Sequence, residues 1–230
     1  MHKYRALCGL ALTVVVAGGF SSAAAAADIE FNASAVSDFR FRGVSWSDGD
    51  PAIQGGVTLT TGPFSFDVWA SNIAETDEGA DVEVDLMATL SGEIGQTSLS
   101  GAVVYYTFPG DGTWSYVELL GEVVQEFGNG RVSLSGGYVP SQKNTWHESG
   151  RYIAVGGEVD TSLATLFGSL GRESGTNAPG GKWDWQIGAK REVGPVEVSL
   201  SYVDTDRTYR NEAGKRMSGP TALLSLGVIF

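Results

Sequence analysis

Cysteine occurs once among the 230 residues, histidine twice and proline seven times. The lone cysteine, Cys8, lies in a segment built like an export signal. His2, Lys3 and Arg5 give a positive start, Leu10 to Gly19 an apolar run, and Ala23 to Ala27 small residues suited to cleavage. Residues 1–27 are therefore predicted to be a secretory signal peptide cleaved near Ala27, and residues 28–230 the mature domain. A mature chain without thiols excludes disulfides, cysteine nucleophiles and cysteine metal sites. It also lacks any uninterrupted apolar run of about 18 residues, which excludes a membrane helix. Bases are scarce as well. Without Lys3 and Arg5, 13 Lys and Arg face 27 Asp and Glu, a net charge of −14 that makes a poor nucleic-acid partner. His147, the one histidine left, stands beside Trp146 and Glu148 in a polar stretch with no recognisable serine motif. A nucleophile with a positioned base is not legible, so the chain is not expected to be an enzyme, although a site built on aspartates stays open.

What the chain has is glycine, 32 residues of it, and alternation. High glycine with low proline and no low-complexity tract fits an ordered, strand-rich fold. In "IEFNASAVSDFRFRG" the odd positions read Ile29, Phe31, Ala33, Ala35, Ser37, Phe39, Phe41 and the even ones Glu30, Asn32, Ser34, Val36, Asp38, Arg40, Arg42. A period of two sends alternate side chains to opposite faces of a strand. The same split recurs around 64–71, 81–90, 117–123, 183–190 and 196–202, while both faces look apolar around Leu99 to Tyr106 and Leu163 to Leu170. Compact turns are expected at Gly62-Pro63, Gly92 to Gly95, Gly128-Asn129-Gly130, Asp160 to Ser162 and Gly194-Pro195. Longer polar connections are expected at Gly43–Pro51, Ala74–Ala80, Pro109–Thr113, Ser141–Gly150, Glu173–Gly181 and Asp204–Met217. Strict alternation of long and short links predicts an all-β fold, one antiparallel up-and-down transmembrane β-barrel of about 12 strands.

The apolar stripes contain many small residues (Ala33, Ala35, Gly55, Ala70, Ala88, Gly121, Gly136), which would leave a wide barrel interior empty. Turned outward, they meet acyl chains that fill gaps by themselves. The polar stripes then line the lumen: Asp38, Arg40 and Arg42 on the first strand, with Asp67, Glu83, Asp85, Glu118, Glu122, Glu158, Asp184, Lys190 and Glu197 around the wall. Opposed acidic and basic walls could set solute or ion selectivity, the acidic excess favouring cations; the same charges could instead plug the barrel through cross-strand pairs. Arg40 and Arg42 could clamp a carboxylate or phosphate, with pairing to neighbouring acids such as Asp67 as the plainer role. Aromatics near the stripe ends (Phe31, Phe39, Phe41, Phe64, Tyr138, Trp183, Tyr202, Phe230) would form interfacial girdles. The acidic stretches "SDGDP" and "ETDEGADVEVD" offer calcium's oxygen ligands without EF-hand spacing, and solvated loop acids are the simpler reading. No cofactor is implied.

In "TALLSLGVIF" Ala222, Leu224, Leu226, Val228 and Phe230 alternate to a terminal aromatic. This resembles the closing-strand signal read by the outer-membrane assembly machinery. "SDFRFRGVSWSDGDPAIQGGV", Ser37 to Val57, resembles the opening motif of the Gcw_chp family of bacterial outer-membrane proteins, described as TorF-family porins. Asp38, Arg40, Arg42, Gly43, Asp50, Pro51, Gln54, Gly55 and Gly56 carry the match; Trp46 departs from it, standing where a polar loop residue is expected. The resemblance implies an outer-membrane barrel and a pore. Together these features predict a porin passing small hydrophilic solutes or ions, with outer-membrane lipids as partners. A non-conducting structural or adhesive barrel is the alternative.

Overall fold

The period-two segments become strands because their β-branched, aromatic and small residues suit a pleated wall with unlike faces. The computed structural model describes residues 27–211 and 213–230, so all of the expected signal peptide but Ala27 lies outside the described residues. The strands are β1 (Asp28–Val36), β2 (Arg40–Phe41), β3 (Val44–Ser45), β4 (Ala52–Thr61), β5 (Phe64–Asn72), β6 (Val82–Ile94), β7 (Thr97–Thr107), β8 (Tyr116–Phe127), β9 (Gly130–Val139), β10 (Gly150–Asp160), β11 (Thr165–Gly175), β12 (Ala178–Val193), β13 (Val196–Thr205) and β14 (Thr221–Ile229). All but β2 and β3 form one closed antiparallel barrel, each strand beside its sequence neighbour and β14 returning to β1. That is twelve barrel strands, as the alternation of links requires. The seam is short: five register pairs join β1 to β14, from Asn32↔Ile229 to Val36↔Ser225, against nine between β1 and β4. Past the ladder, Phe31 and Phe230 exchange backbone hydrogen bonds of 2.8 and 2.9 Å, and their rings stack at 6.2 Å.

Five tight links, each at or beside an expected turn, lie at one end of the barrel. Gly62, Gly95, Gly128 and Gly194 open four of them at φ values of 56, 65, 55 and 63°, a region that costs a residue with a Cβ. The remaining links lie at the other end, with one correction. The polar stretch 173–181 is strand for most of its length, since β11 runs to Gly175 and β12 starts at Ala178. Its residues stay in the wall because Glu173 and Lys182 face inward and pair.

Facing follows the expected parity. Phe64, Phe66, Val68, Leu86, Leu90, Leu119, Val123, Ile187 and Leu200 are exposed on the outer wall, whereas Glu83, Asp85, Glu118 and Asp184 are buried inside. A continuous apolar exterior of this kind calls for cover by an apolar medium. The two ambiguous strands resolve as well: Leu99 and Val103 point out from β7 while Ala102, Val104 and Tyr106 are buried inside, and Leu166 and Leu170 point out from β11.

Candidate functional site

The first connection does not stay outside. β1 stops at Val36, and residues 37–47 turn into the barrel as a small hairpin, β2 paired with β3 through Arg40↔Ser45 and Phe41↔Val44. This corrects the placement of Asp38, Arg40 and Arg42 on the first strand and of Phe39 and Phe41 in an outer girdle. Phe39 and Phe41 are only 5% and 4% exposed, inside the lumen. Alternation continues through Phe41 because β2 is itself a strand, but one that has left the wall. Its two-residue turn has φ of 46° at Arg42 and 83° at Gly43, the left-handed pair that suits a tight hairpin. A Cβ on Gly43 would sit 3.0 Å from Thr205 Cβ, so glycine also lets the tip press against β13.

The hairpin is tied internally by Asp38. Its carboxylate accepts from Arg40 Nε at 2.6 Å, Ser45 Oγ at 2.5 Å and Ser47 Oγ at 3.3 Å. Arg40 Nη1 also donates to the Gly219 carbonyl at 3.0 Å, Ser45 N donates to Met217 O at 2.6 Å, and Asn211 donates to Asp48 Oδ2 at 2.7 Å, anchoring the segment to the last long connection. Arg40 thus serves structure rather than a clamp for solute, and Asp48 of the "SDGDP" loop meets an amide rather than a metal ligand set.

Arg42 is the tip, and it crosses the lumen. Nη2 meets Glu118 of β8 at 2.8 Å and Nη1 meets Glu173 of β11 at 2.7 Å, while its guanidinium carbon lies 4.0 Å over the Tyr152 ring of β10. Lys182 of β12 extends the network, reaching Glu173 at 2.7 Å, Asp184 at 3.3 Å and the Arg42 carbonyl at 2.7 Å. Tyr106 donates to Glu118 Oε2 at 3.1 Å and Tyr152 to Asp184 Oδ1 at 3.1 Å. Burial opposes the charge on Arg42, but Glu118 and Glu173 more than offset it and hold the guanidinium above its ordinary pKa. A buried cation is tolerable only with such partners.

On its other side the hairpin packs into an apolar cluster. Phe39 meets Trp69 edge-on at 5.5 Å; Trp46 lies 6.5 Å from Phe108 and 5.8 Å from Trp114; Ile73, Val104, Tyr106 and Tyr116 belong to the same group. This explains both the apolar inner face of β7 and the tryptophan in a loop position. Trp46 is core.

Below the hairpin the inner wall is lined by small polar residues, among them Ser100, Ser133, Ser135, Gln186 and Ser199. At the tight-turn end a second ionic group joins Arg131 to Glu158 at 2.7 Å and Lys190 to Glu158 at 3.2 Å, beside an open mouth of about 610 Å³ that Glu197 also lines. Asp67 accepts from Thr58 at 2.6 Å and does not meet either arginine of the hairpin. Glu83 and Asp85 are buried two apart on β6, and Glu122 is half-buried on β8. His147, with φ of 60°, is exposed on the link between β9 and β10. Among the described residues no three candidate metal ligands converge.

Sequence reasoning missed Glu173, Lys182, Tyr152 and Arg131. Parity carried past the strand ends finds the first two: Glu173 continues Phe167, Ser169 and Gly171, and Lys182 precedes Asp184 and Gln186 on the same face. Gly171 has its own role, because a Cβ there would occupy the place of the Tyr152 ring. Gly171→Val should push Tyr152 from beneath Arg42 and cost about 1–3 kcal/mol, as overpacking does. Urea titration of the folded barrel in detergent checks this, and an unchanged midpoint would refute it.

A closed antiparallel barrel of twelve strands, apolar outside, ionised inside and filled towards one end by its first connection, has the fold of bacterial outer-membrane barrels. The chain belongs to the Gcw_chp family, whose profile, described as a bacterial protein of unknown function, matches residues 21–229. The chain is similar to solved structures at low sequence identity. An outer-membrane channel of Pseudomonas putida F1 superposes with a TM-score of 0.50 at 11% identity, covering 88% of this chain and 94% of that one. Salmonella typhi OmpF, in complex with daunomycin, gives 0.48 at 9% identity over 89% and 97%. A refined porin gives 0.43 at 15% identity over 78% of this chain, which spans 62% of that porin's length. No curated protein matches the sequence.

Proposed function

We propose that the protein is an outer-membrane porin for small hydrophilic solutes or ions, with its long links on the outer side and its lumen restricted by the 37–47 hairpin. The observation that supports this reading most is the inner wall. Below the hairpin it is serine-rich and charged, and it opens into a charged mouth at the tight-turn end, a lining suited to water rather than to a packed core. The hairpin is the stopper, held by the Arg42 network and the Trp46 cluster. The excess of lumen carboxylates favours cations.

Planar-bilayer recording of the refolded mature chain tests the proposal. The wild type should give small conductance steps, and replacing residues 39–46 with a short Gly-Ser linker should raise them severalfold. The reversal potential in a KCl gradient should have the cation sign, and an anion sign would reject the selectivity. If the linker variant folds and still conducts nothing, the filled lumen belongs to a structural barrel, not a pore.

A further inference from the structure

The outer wall carries an uneven charge. Although acids outnumber bases almost two to one in the chain, the charged residues on the outward parity of the described barrel strands are Arg151, Arg172, Arg191 and Asp204. Asp204 is engaged, accepting from Tyr202 OH at 3.0 Å and from Thr205 N at 2.8 Å. Arg191 lies near the tight-turn end of β12. Arg151 and Arg172 lie near the long-link end on adjacent strands: Arg151 faces Ser174 and Ile153 faces Arg172 across the ladder. That makes the two arginines diagonal neighbours with Cα atoms about 7–8 Å apart. Arg151 is exposed beside Tyr138, its partner on β9, and Arg172 stacks over Trp183 at 5.3 Å. Among the described residues, neither guanidinium has a carboxylate within ion-pair distance.

Directly below them the wall is dented. Gly101, Gly121 and Gly136 are successive partners across β7, β8 and β9, all facing outward. Leu90, Leu99, Val123 and Leu134 flank this floor in a groove of about 670 Å³. The groove reaches Ile153, and from Ile153 and Gly136 a second hollow of about 670 Å³ runs up to Arg151, Arg172 and Ser174. An apolar trough ending at two guanidiniums and a hydroxyl matches one kind of molecule: acyl chain below, phosphate above. Arginine suits the second task because its planar fork binds phosphate through paired hydrogen bonds.

We infer that this face binds one phosphorylated, acylated lipid of the outer leaflet, phosphate on Arg151 and Arg172 and an acyl chain over the glycine floor. The inference rests on the membrane placement proposed above but not on conduction. Native mass spectrometry of the refolded mature chain in micelles tests it, with bisphosphorylated lipid A, monophosphoryl lipid A and phosphatidylethanolamine as probes. The wild type should retain one bisphosphorylated lipid A in preference to the other two. R151A/R172A should weaken retention by about tenfold or more, as the loss of two charge-assisted contacts implies, while R191A should leave it unchanged. Equal retention by wild type and double variant overturns the proposal, as does equal weakening by R191A, which would mean charge attraction without a site. A heat-modifiable band on gels shows that each variant is folded. Bilayer conductance separates the two readings. A barrel that binds the lipid but never conducts defeats the pore alone, and one that conducts but ignores lipid A defeats this inference alone.

Discussion

Arg42→Ala is expected to lower stability by about 3–5 kcal/mol, the usual consequence of removing one partner from a buried ion pair, and to raise conductance. Glu118 and Glu173 would lose a shared cation while 1% and 4% exposed. Each keeps one partner: Tyr106 for Glu118 and Lys182 for Glu173. Water entering from the polar lumen below is the remaining way to solvate them, and the same water opens a conducting path. Arg42→Lys should fall between, since one ammonium cannot span both carboxylates as the guanidinium fork does. Urea midpoint and single-channel step size, measured on the same refolded sample, check both halves. An unchanged midpoint would mean that the aromatic cluster and the bonds to the last long connection hold the hairpin without Arg42.

Val68→Arg should destabilise the barrel by about 2–4 kcal/mol, the range for arginine on a lipid-facing midplane position. Val68 is the middle residue of β5, 45% exposed on the outer wall between Val57 and Leu86. Ser135→Arg, on the inner wall of β9 across from Glu122, should be nearly neutral because the new cation finds water and a carboxylate. Unfolding in lipid vesicles compares them directly. Equal costs would reverse the assignment of the wet and dry faces.

Most of the barrel was legible in the sequence because a strand wall with unlike faces writes its period into every segment. Link lengths added the strand count. The lumen stopper was not legible, and the reason is local. Phe39 and Phe41 keep the parity of β1, so nothing in "SAVSDFRFRG" marks the departure at Ser37 except the turn chemistry of Arg42-Gly43. Trp46 was the useful anomaly: a large apolar ring in a supposedly wet connection signals burial. The charges of the site were found where alternation was clean, as with Glu118 and Asp184, and missed where glycine-rich sequence disguised strand ends, as with Glu173 and Lys182. Arg40 and Arg42, alike in sequence, part company in the fold: one ties the hairpin to itself and to the last connection, the other reaches across the lumen.

The brevity of the β1–β14 contact bears on how the barrel is made. The ten strand pairings from β4 to β14, and that of β1 with β4, join segments close in the chain, whereas the seam joins residues almost two hundred positions apart. Contacts of such separation form late because the intervening chain must first be ordered. The growing sheet therefore remains an open, curling ribbon until its first and last edges meet, and with five paired positions this junction is also the place where the finished cylinder can part most readily under strain.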